Sequence, residues 1–186
     1  MLRLALFGSL RLTLDRTPIE STVPPKTLHL LAYLLLHRRE ALTRDQLAFT
    51  LWPDRSEAEA RGQLRRYLYR LRQLLPDGDW LITRGETIQW NLDADYALDV
   101  QEFEHAAHYA PDELAAAQRL YVDDLLPDLY DDWIMLDRER LREMYLANWQ
   151  TLLNVYRERR EYAQAIECAQ HILKREPLRE TIVREL

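Results

Sequence analysis

The chain is poor in cysteine, in glycine and in long apolar runs, and each shortage excludes a class of protein. The single cysteine, Cys168, cannot form an internal disulfide, which is typical of a reducing compartment. Only four glycines and no low-complexity tract indicate a folded chain rather than a disordered one. Arg3 and Arg11 interrupt the apolar start, and no run approaches the roughly 20 apolar residues that cross a bilayer. We therefore expect a cytoplasmic protein without a membrane partner.

The usual sequence signatures of catalysis are also missing, since no HExxH, Walker, GxGxxG or GxSxG motif occurs. His105 and His108 lie three residues apart, a spacing more typical of a helix surface than of a metal site. Two acidic pairs, at 123–124 and 131–132, flank a proline, where carboxylates commonly cap the next helix. We therefore predict a protein that is not an enzyme and has no catalytic residue, no metal and no cofactor.

Positive charge is concentrated in one short part of the chain, although the net charge is −6. Residues 1–95 carry 14 Lys+Arg against 12 Asp+Glu, whereas residues 96–186 carry 11 against 19. Within residues 55–72, six arginines stand against two glutamates. A chain of 186 residues accommodates two domains of about 90 residues each. The sequence therefore predicts two domains, a first one over 1–95 with a basic stripe and an acidic second one over 96–186.

The first domain begins with strand patterns that give way to a helix. Leucines with period two predict a hairpin over residues 2–14, and a third short strand is expected over 19–23. Leucines at helical spacing then predict a helix over residues 26–37.

Two capping-box patterns follow, and they predict two further helices. The pattern at Thr43 opens a helix that ends at Trp52, and the pattern at Ser56 opens one that runs to Leu75. Two β-rich runs around Gly85 predict a closing hairpin. Strands, three helices and a hairpin in this order indicate a winged helix-turn-helix, in which Trp52 is expected to be part of the core.

The second domain shows no strand pattern. Residues 95–99 are expected to form the linker, and the helices that follow are predicted over 99–110, 111–121, 128–159, 161–175 and 177–186. The last long pair has the length and the small packing residues of a tetratricopeptide-like hairpin. The predicted fold class is thus mainly α with a β-containing N-terminal domain, a winged helix-turn-helix followed by an all-α tetratricopeptide-like domain.

The helix over residues 56–75 has two different faces. A leucine stripe is expected to be buried, and the opposite arc carries no acid. Arginine binds phosphate or guanine and glutamine pairs with adenine, whereas an ordinary solvated face mixes the two signs of charge. We therefore favour a DNA-binding face over a plain solvated face, with the predicted contacts Arg65, Arg66, Tyr69, Arg70 and Gln73 on this arc and Arg61 as a further predicted contact outside it.

The turn of the closing hairpin offers one more contact. Arg84 precedes Gly85, so it is predicted to touch the minor groove or a phosphate as a wing residue. A turn arginine without any role in binding remains the alternative.

These segments together resemble the antibiotic regulatory protein (SARP) type of bacterial activator, in which an OmpR-like winged helix precedes a bacterial transcriptional activator domain (BTAD). The resemblance covers nearly the whole chain and rests on the order of its segments, among them LALFGSLRLTL, LTRDQLAFTLWPD, RGQLRRYLYRLRQLL and YAQAIECAQHILKREPLRE. It implies that the long basic helix is the recognition helix. The wing departs from the family pattern, because Glu86 to Trp90 stand where a glycine-tyrosine pair is usual. The family normally continues beyond the PLRE-like segment, so the sequence leaves open a longer regulator.

We therefore expect a sequence-specific DNA-binding transcription regulator of the activator kind. Its partners would be double-stranded promoter DNA, a second copy of the chain on that DNA, and RNA polymerase or a downstream sensor domain. Two alternatives stay open: a protein-binding scaffold whose winged helix does not bind DNA, and a regulator switched by a small ligand.

Overall fold

The computed structural model describes residues 1–20, 23–106 and 110–176, with strands before residue 99 and helices throughout. This distribution confirms the predicted fold class, a winged helix-turn-helix followed by a helical domain. Within these ranges no helix combines the length and the apolar character needed to cross a membrane.

A sheet at the N-terminus joins the beginning of the chain to residues almost a hundred positions later. In the described residues its order is β3 (Thr17–Pro18), β2 (Arg11–Leu14), β1 (Leu2–Ala5) and β7 (Tyr96–Leu98). The predicted hairpin is confirmed, because β1 and β2 pair antiparallel. The third strand ends at Pro18, before the predicted 19–23, of which residues 21 and 22 lie outside the described residues. The predicted linker over 95–99 is wrong, since β7 pairs in parallel with β1.

Three helices follow that sheet in the predicted order. They are α1 (Pro25–Leu36), α2 (Arg44–Leu51) and α3 (Glu57–Leu74). Thr43 caps α2 as predicted, because its Oγ1 accepts the Gln46 N–H at 3.1 Å and the Gln46 side chain accepts the Thr43 N–H at 2.8 Å.

The cap of α3 uses the glutamate half of the predicted pattern. The Glu59 carboxylate accepts hydrogen bonds from both the Ser56 N–H and the Ser56 hydroxyl. Trp52, expected in the core, is half-buried and lies against Tyr67 with ring centroids 5.3 Å apart.

The closing hairpin consists of β5 (Leu81–Arg84) and β6 (Thr87–Trp90), and β6 also pairs with β4 (Leu42–Thr43) ahead of α2. Gly85 lies at φ +55° in its turn, a conformation that favours glycine. The predicted hairpin is therefore confirmed, and β4 anchors it to the start of the helix-turn-helix.

The helical region contains α4 (Asp99–Ala106), α5 (Pro111–Gln118), a 3₁₀ turn (Asp132–Ile134), α6 (Met135–Glu158) and α7 (Tyr162–Arg175). Helices α6 and α7 form the predicted hairpin. Cys168 on α7 is buried, as expected for a small apolar thiol, and burial raises its pKa to about 11. The helix predicted over 177–186 and His108 of the histidine pair lie outside the described residues.

The helix predicted over residues 128–159 begins in the structure at Met135, seven residues later than predicted. Leu126, two residues before the predicted start, has a left-handed backbone conformation with φ +41°. The Arg138 guanidinium, one turn into α6, then donates to the carbonyls of Leu125, Leu126 and Leu129 at 2.6–2.9 Å. The Leu129 carbonyl, which lies inside the predicted helix, therefore accepts a hydrogen bond from a side chain.

Two acidic residues around Pro127 bind basic side chains elsewhere in the chain, Asp131 in the first domain and Asp124 on α7, which corrects their predicted role as helix caps. Asp131 accepts from Lys26 Nζ at 3.0 Å and contacts His29 Nδ1 at 2.9 Å. Burial raises the pKa of the Asp131 carboxyl, but Lys26 and His29 oppose it and leave the pKa below its usual value. Asp124, in the other pair, lies 3.2 Å from Arg175.

A second polar bridge joins the end of α1 to the helical region. The Glu104 carboxylate binds Arg38 Nη2 at 2.6 Å and Arg140 Nη2 at 2.8 Å. Tyr33 and Trp133 pack edge to face between the two bridges, with ring centroids 5.0 Å apart. Helix α1 therefore packs on α3 with one face and contacts the acidic helical region with another.

Candidate nucleic-acid interface

Helix α3 presents a buried stripe and an exposed face, as the sequence pattern predicted. Ala60, Leu64, Leu68 and Leu71 are at most 2% exposed and pack under α1 and α2. This burial fixes the rotation of the helix, so the residues on its other side are directed to solvent.

The centre of the exposed face is formed by Arg65, Arg66, Tyr69 and Gln73. Tyr69 is 64% exposed, an unusual state for a large aromatic ring. Neither guanidinium, of Arg65 or of Arg66, has a hydrogen bond or an ion pair within the described part of the chain. These four side chains are therefore available to a partner.

Two further arginines of α3 are held by contacts within the domain. Arg70 is half-buried and its guanidinium lies 5.3 Å from the ring centre of Tyr67. Arg72 donates to the Thr83 hydroxyl at 3.4 Å, which links the end of α3 to the wing. Arg72 was part of the basic stripe but was not among the predicted contacts.

Arg61 differs from the other predicted contacts, because carboxylates surround it. Its Nε and Nη2 donate to the two oxygens of Asp45 on α2 at 2.7 and 2.8 Å. Its Nη1 lies 3.1 Å from a carboxylate oxygen of Glu57, one turn earlier on α3. The hydrogen bond with Arg61 lowers the pKa of the Asp45 carboxyl, and the same bond raises the pKa of Arg61.

Arg61 therefore differs from the acid-free arc predicted on α3, because two carboxylates contact its guanidinium. The sequence carried one signal for it, the i, i+4 spacing of Glu57 and Arg61. The contribution of Asp45 could not be read in that way, because it comes from another helix.

The remaining predicted contact, Arg84, lies exposed at the tip of the wing. The Thr87 hydroxyl donates to its carbonyl at 2.9 Å and closes the turn around Gly85. Arg44, the first residue of α2, donates its backbone N–H to the Glu86 carbonyl at 2.9 Å. The wing tip is thus connected to the start of the helix-turn-helix, while the Arg84 side chain remains in solvent.

The part of the chain that the structure describes offers no rival metal site. Among residues 1–20, 23–106 and 110–176, no group of three or more His, Cys, Asp and Glu side chains could hold a metal ion. The exposed face of α3 is therefore the strongest candidate site that the structure offers.

Comparison with known families finds two domains of transcriptional regulators in the chain. Residues 19–86 match the family described as "Transcriptional regulatory protein, C terminal", and residues 94–186, half of the chain, match "Bacterial transcriptional activator domain". The predicted division into two domains, at residues 95 and 96, stays a prediction.

The chain is similar to one curated protein and to one solved structure. The chain is 28% identical to the regulatory protein AfsR of Streptomyces coelicolor over 197 residues, which is 100% of this chain and 20% of AfsR. The structure of Mycobacterium tuberculosis EmbR, in complex with a low affinity phosphopeptide, superposes with a TM-score of 0.81 at 23% identity, and this similarity shows the fold. That match covers 97% of this chain and 52% of the EmbR chain, so the chain spans a part of each relative. The chain belongs to the SARP-type bacterial transcriptional regulators, which join an OmpR-like winged helix to a bacterial transcriptional activator domain.

Proposed function

We propose that the chain binds promoter DNA sequence-specifically through α3 and thereby activates transcription. The observation that carries this proposal is the exposed face of α3, where Arg65 and Arg66 have no partner among the described residues. Neighbouring cations that repel each other in the free protein gain most from a polyanion. Tyr69 and Gln73 on the same face supply groups that contact base edges or sugar.

The position of the acidic region is compatible with this role. Residues 96–186 carry the excess of Asp and Glu, and they contact α1 through Asp131 and Glu104. Because α1 lies between these residues and α3, the negative charge stays behind the proposed DNA face. Because bacterial promoter DNA lies in the cytoplasm, the proposed activity is cytoplasmic.

Substitution of the two unpaired arginines tests the proposal. We expect Arg65→Ala and Arg66→Ala each to weaken binding to an operator selected by the wild-type chain from random duplexes. Where the wild-type arginine binds a phosphate, its replacement lowers the slope of log affinity against log salt by about one. Stability should hardly change, because neither side chain touches the leucine stripe. Fluorescence anisotropy titrations over a salt series give both quantities.

Arg119→Ala provides the matched control, since Arg119 is also exposed but ends α5 in the acidic region. It should leave affinity and salt dependence unchanged. Equal affinities and slopes for all four proteins would show that α3 is not the DNA-binding element. A correctly folded wild-type chain that binds no DNA at low salt would favour the scaffold alternative.

We further propose that two copies act together on DNA. About four arginines remain for contact with phosphates, because carboxylates already neutralise Arg61. They neutralise too few phosphates for the roughly 10⁻⁸ M affinity or better of a working regulator. Two copies on adjacent half-sites gain about 10²–10⁴ in avidity without a new contact. The helical region would then contact RNA polymerase or a downstream sensor domain.

A further inference from the structure

The ion pair between Asp45 and Arg61 joins the two helices of the helix-turn-helix at the proposed DNA face. Its geometry is bidentate, because Nε and Nη2 of the guanidinium each bind a different oxygen of one carboxylate. This arrangement fixes the plane of the guanidinium. Both side chains are about half exposed, at 49% for Arg61 and 48% for Asp45.

Stability does not account for such a pair. Exposed ion pairs contribute little to folding, because water solvates the separated charges almost as well. The buried leucines already hold α3 against α2. What the pair adds is a defined orientation for a long side chain that would otherwise sample many rotamers.

The local charge distinguishes two kinds of DNA contact. Asp45 and Glu57 together place two negative charges on the single positive charge of Arg61. A phosphate approaching this group would meet net repulsion, whereas the edge of a base carries no net charge. Arg61 also lies in the second turn of α3, and the first residues of a recognition helix are those that reach base edges.

We propose that Asp45 is a positioning residue that orients Arg61 to read a guanine, an inference that rests on the proposed function. Asp45 occupies the Nε and Nη2 side of the guanidinium, so the edge formed by Nη1 and Nη2 is the one presented to guanine O6 and N7. Glu57, 61% exposed and bound through one oxygen only, leaves that edge when a base arrives. Arg65 and Arg66 then bind phosphates, and Arg61 supplies discrimination.

A double-mutant cycle with the full chain tests this division of labour. Wild type, Asp45→Asn, Arg61→Ala and the double variant are each titrated with the operator selected from random duplexes of about 20 base pairs, and with single-base variants of it. We expect Asp45→Asn to reduce the preference for one G·C pair by about tenfold, with the salt slope unchanged. In the Arg61→Ala background the same substitution should have no effect on that preference.

Two further variants make the result specific. Arg61→Lys keeps the charge but cannot form the bidentate pair, so this variant should lose the same base preference. Because it leaves Asp45 in place, its result does not depend on whether Asp45→Asn disturbs the start of α2. Glu57→Gln removes the other carboxylate without disturbing the bidentate pair, and it should strengthen binding to every sequence while the base preference remains.

The outcomes separate this inference from the proposed function. Suppose that the wild-type chain selects an operator. If Asp45→Asn then keeps the full base preference, or if it lowers that preference by the same factor in the Arg61→Ala background, the positioning role is wrong and the DNA-binding function stands. If the wild-type chain selects no sequence, both fall together.

Discussion

At the scale of single residues, Asp99 connects parts of the backbone that are far apart in sequence. Its carboxylate accepts hydrogen bonds from the N–H groups of Leu6 at 2.8 Å, Phe7 at 3.0 Å and Val100 at 2.7 Å. These bonds hold the end of β1 against the start of α4. Burial raises the pKa of the Asp99 carboxyl, while the three N–H groups act in the opposite direction.

We expect Asp99→Ala to lower the free energy of unfolding by about 2–4 kcal/mol, because up to three partly buried donors lose their acceptor. Urea denaturation followed by circular dichroism measures the change. Asp93→Ala, at an exposed aspartate that precedes β7, should cost less than about 0.5 kcal/mol. A loss of similar size in both variants would mean that the hydrogen bonds of Asp99 do not matter for stability.

At the scale of elements, α3 has one face that is buried in the core and another that is proposed to bind DNA. Leu68 is 2% exposed and its neighbour Tyr69 is 64% exposed, so adjacent positions report on opposite faces. Substitution by alanine preserves helix propensity at both positions. The two faces can therefore be tested independently.

Leu68→Ala should destabilise the chain by about 2–5 kcal/mol, since it leaves a cavity under α1 and α2. Tyr69→Ala should change the free energy of unfolding by less than about 0.5 kcal/mol and weaken operator binding. Thermal unfolding and anisotropy titration of both variants provide the comparison. The reverse pattern, with Tyr69→Ala the less stable variant, would mean that α3 is rotated relative to its described orientation.

Local signals in the sequence predicted most elements. The capping patterns at Thr43 and Ser56 placed the starts of α2 and α3, because the residues that make a cap are neighbours in sequence. The burial of the leucine stripe followed from helical period in the same way. The predicted DNA contacts themselves remain predictions.

The errors concern interactions between distant residues. The sequence pattern predicts a linker where β7 lies, because those three residues form a strand only in contact with β1. It predicts the start of α6 too early, since the Arg138 side chain that binds the preceding carbonyls comes later in the chain. Asp45, 16 positions before Arg61, could not be assigned to it from the sequence, although the two form the best-defined ion pair of the candidate site.

At the scale of the whole molecule, the proposed pair of copies makes the spacing of half-sites decisive. The family resemblance implies copies in head-to-tail order on direct repeats. Half-sites about 10–11 base pairs apart place both copies on one side of the duplex. The second binding event then gains from the first.

Inserting about five base pairs between the repeats should abolish cooperative binding, because it turns the second half-site to the opposite side of the DNA. Inserting a full turn should restore part of it. Gel-shift titrations of a spacing series with the full chain measure the effect. A single half-site bound as tightly as the repeat, whatever the spacing, would rule out this assembly.

The strand pairing of β1 with β7 also determines where the chain can be divided. A break after residue 95 would remove β7 and leave β1 as the edge of a shortened sheet, with unpaired N–H and C=O groups open to aggregation. The same break would take Asp99 away from the N–H groups of Leu6 and Phe7. A unit that carries the proposed DNA face is therefore expected to need β7 and Asp99, and a division at residue 95 should yield two incomplete halves.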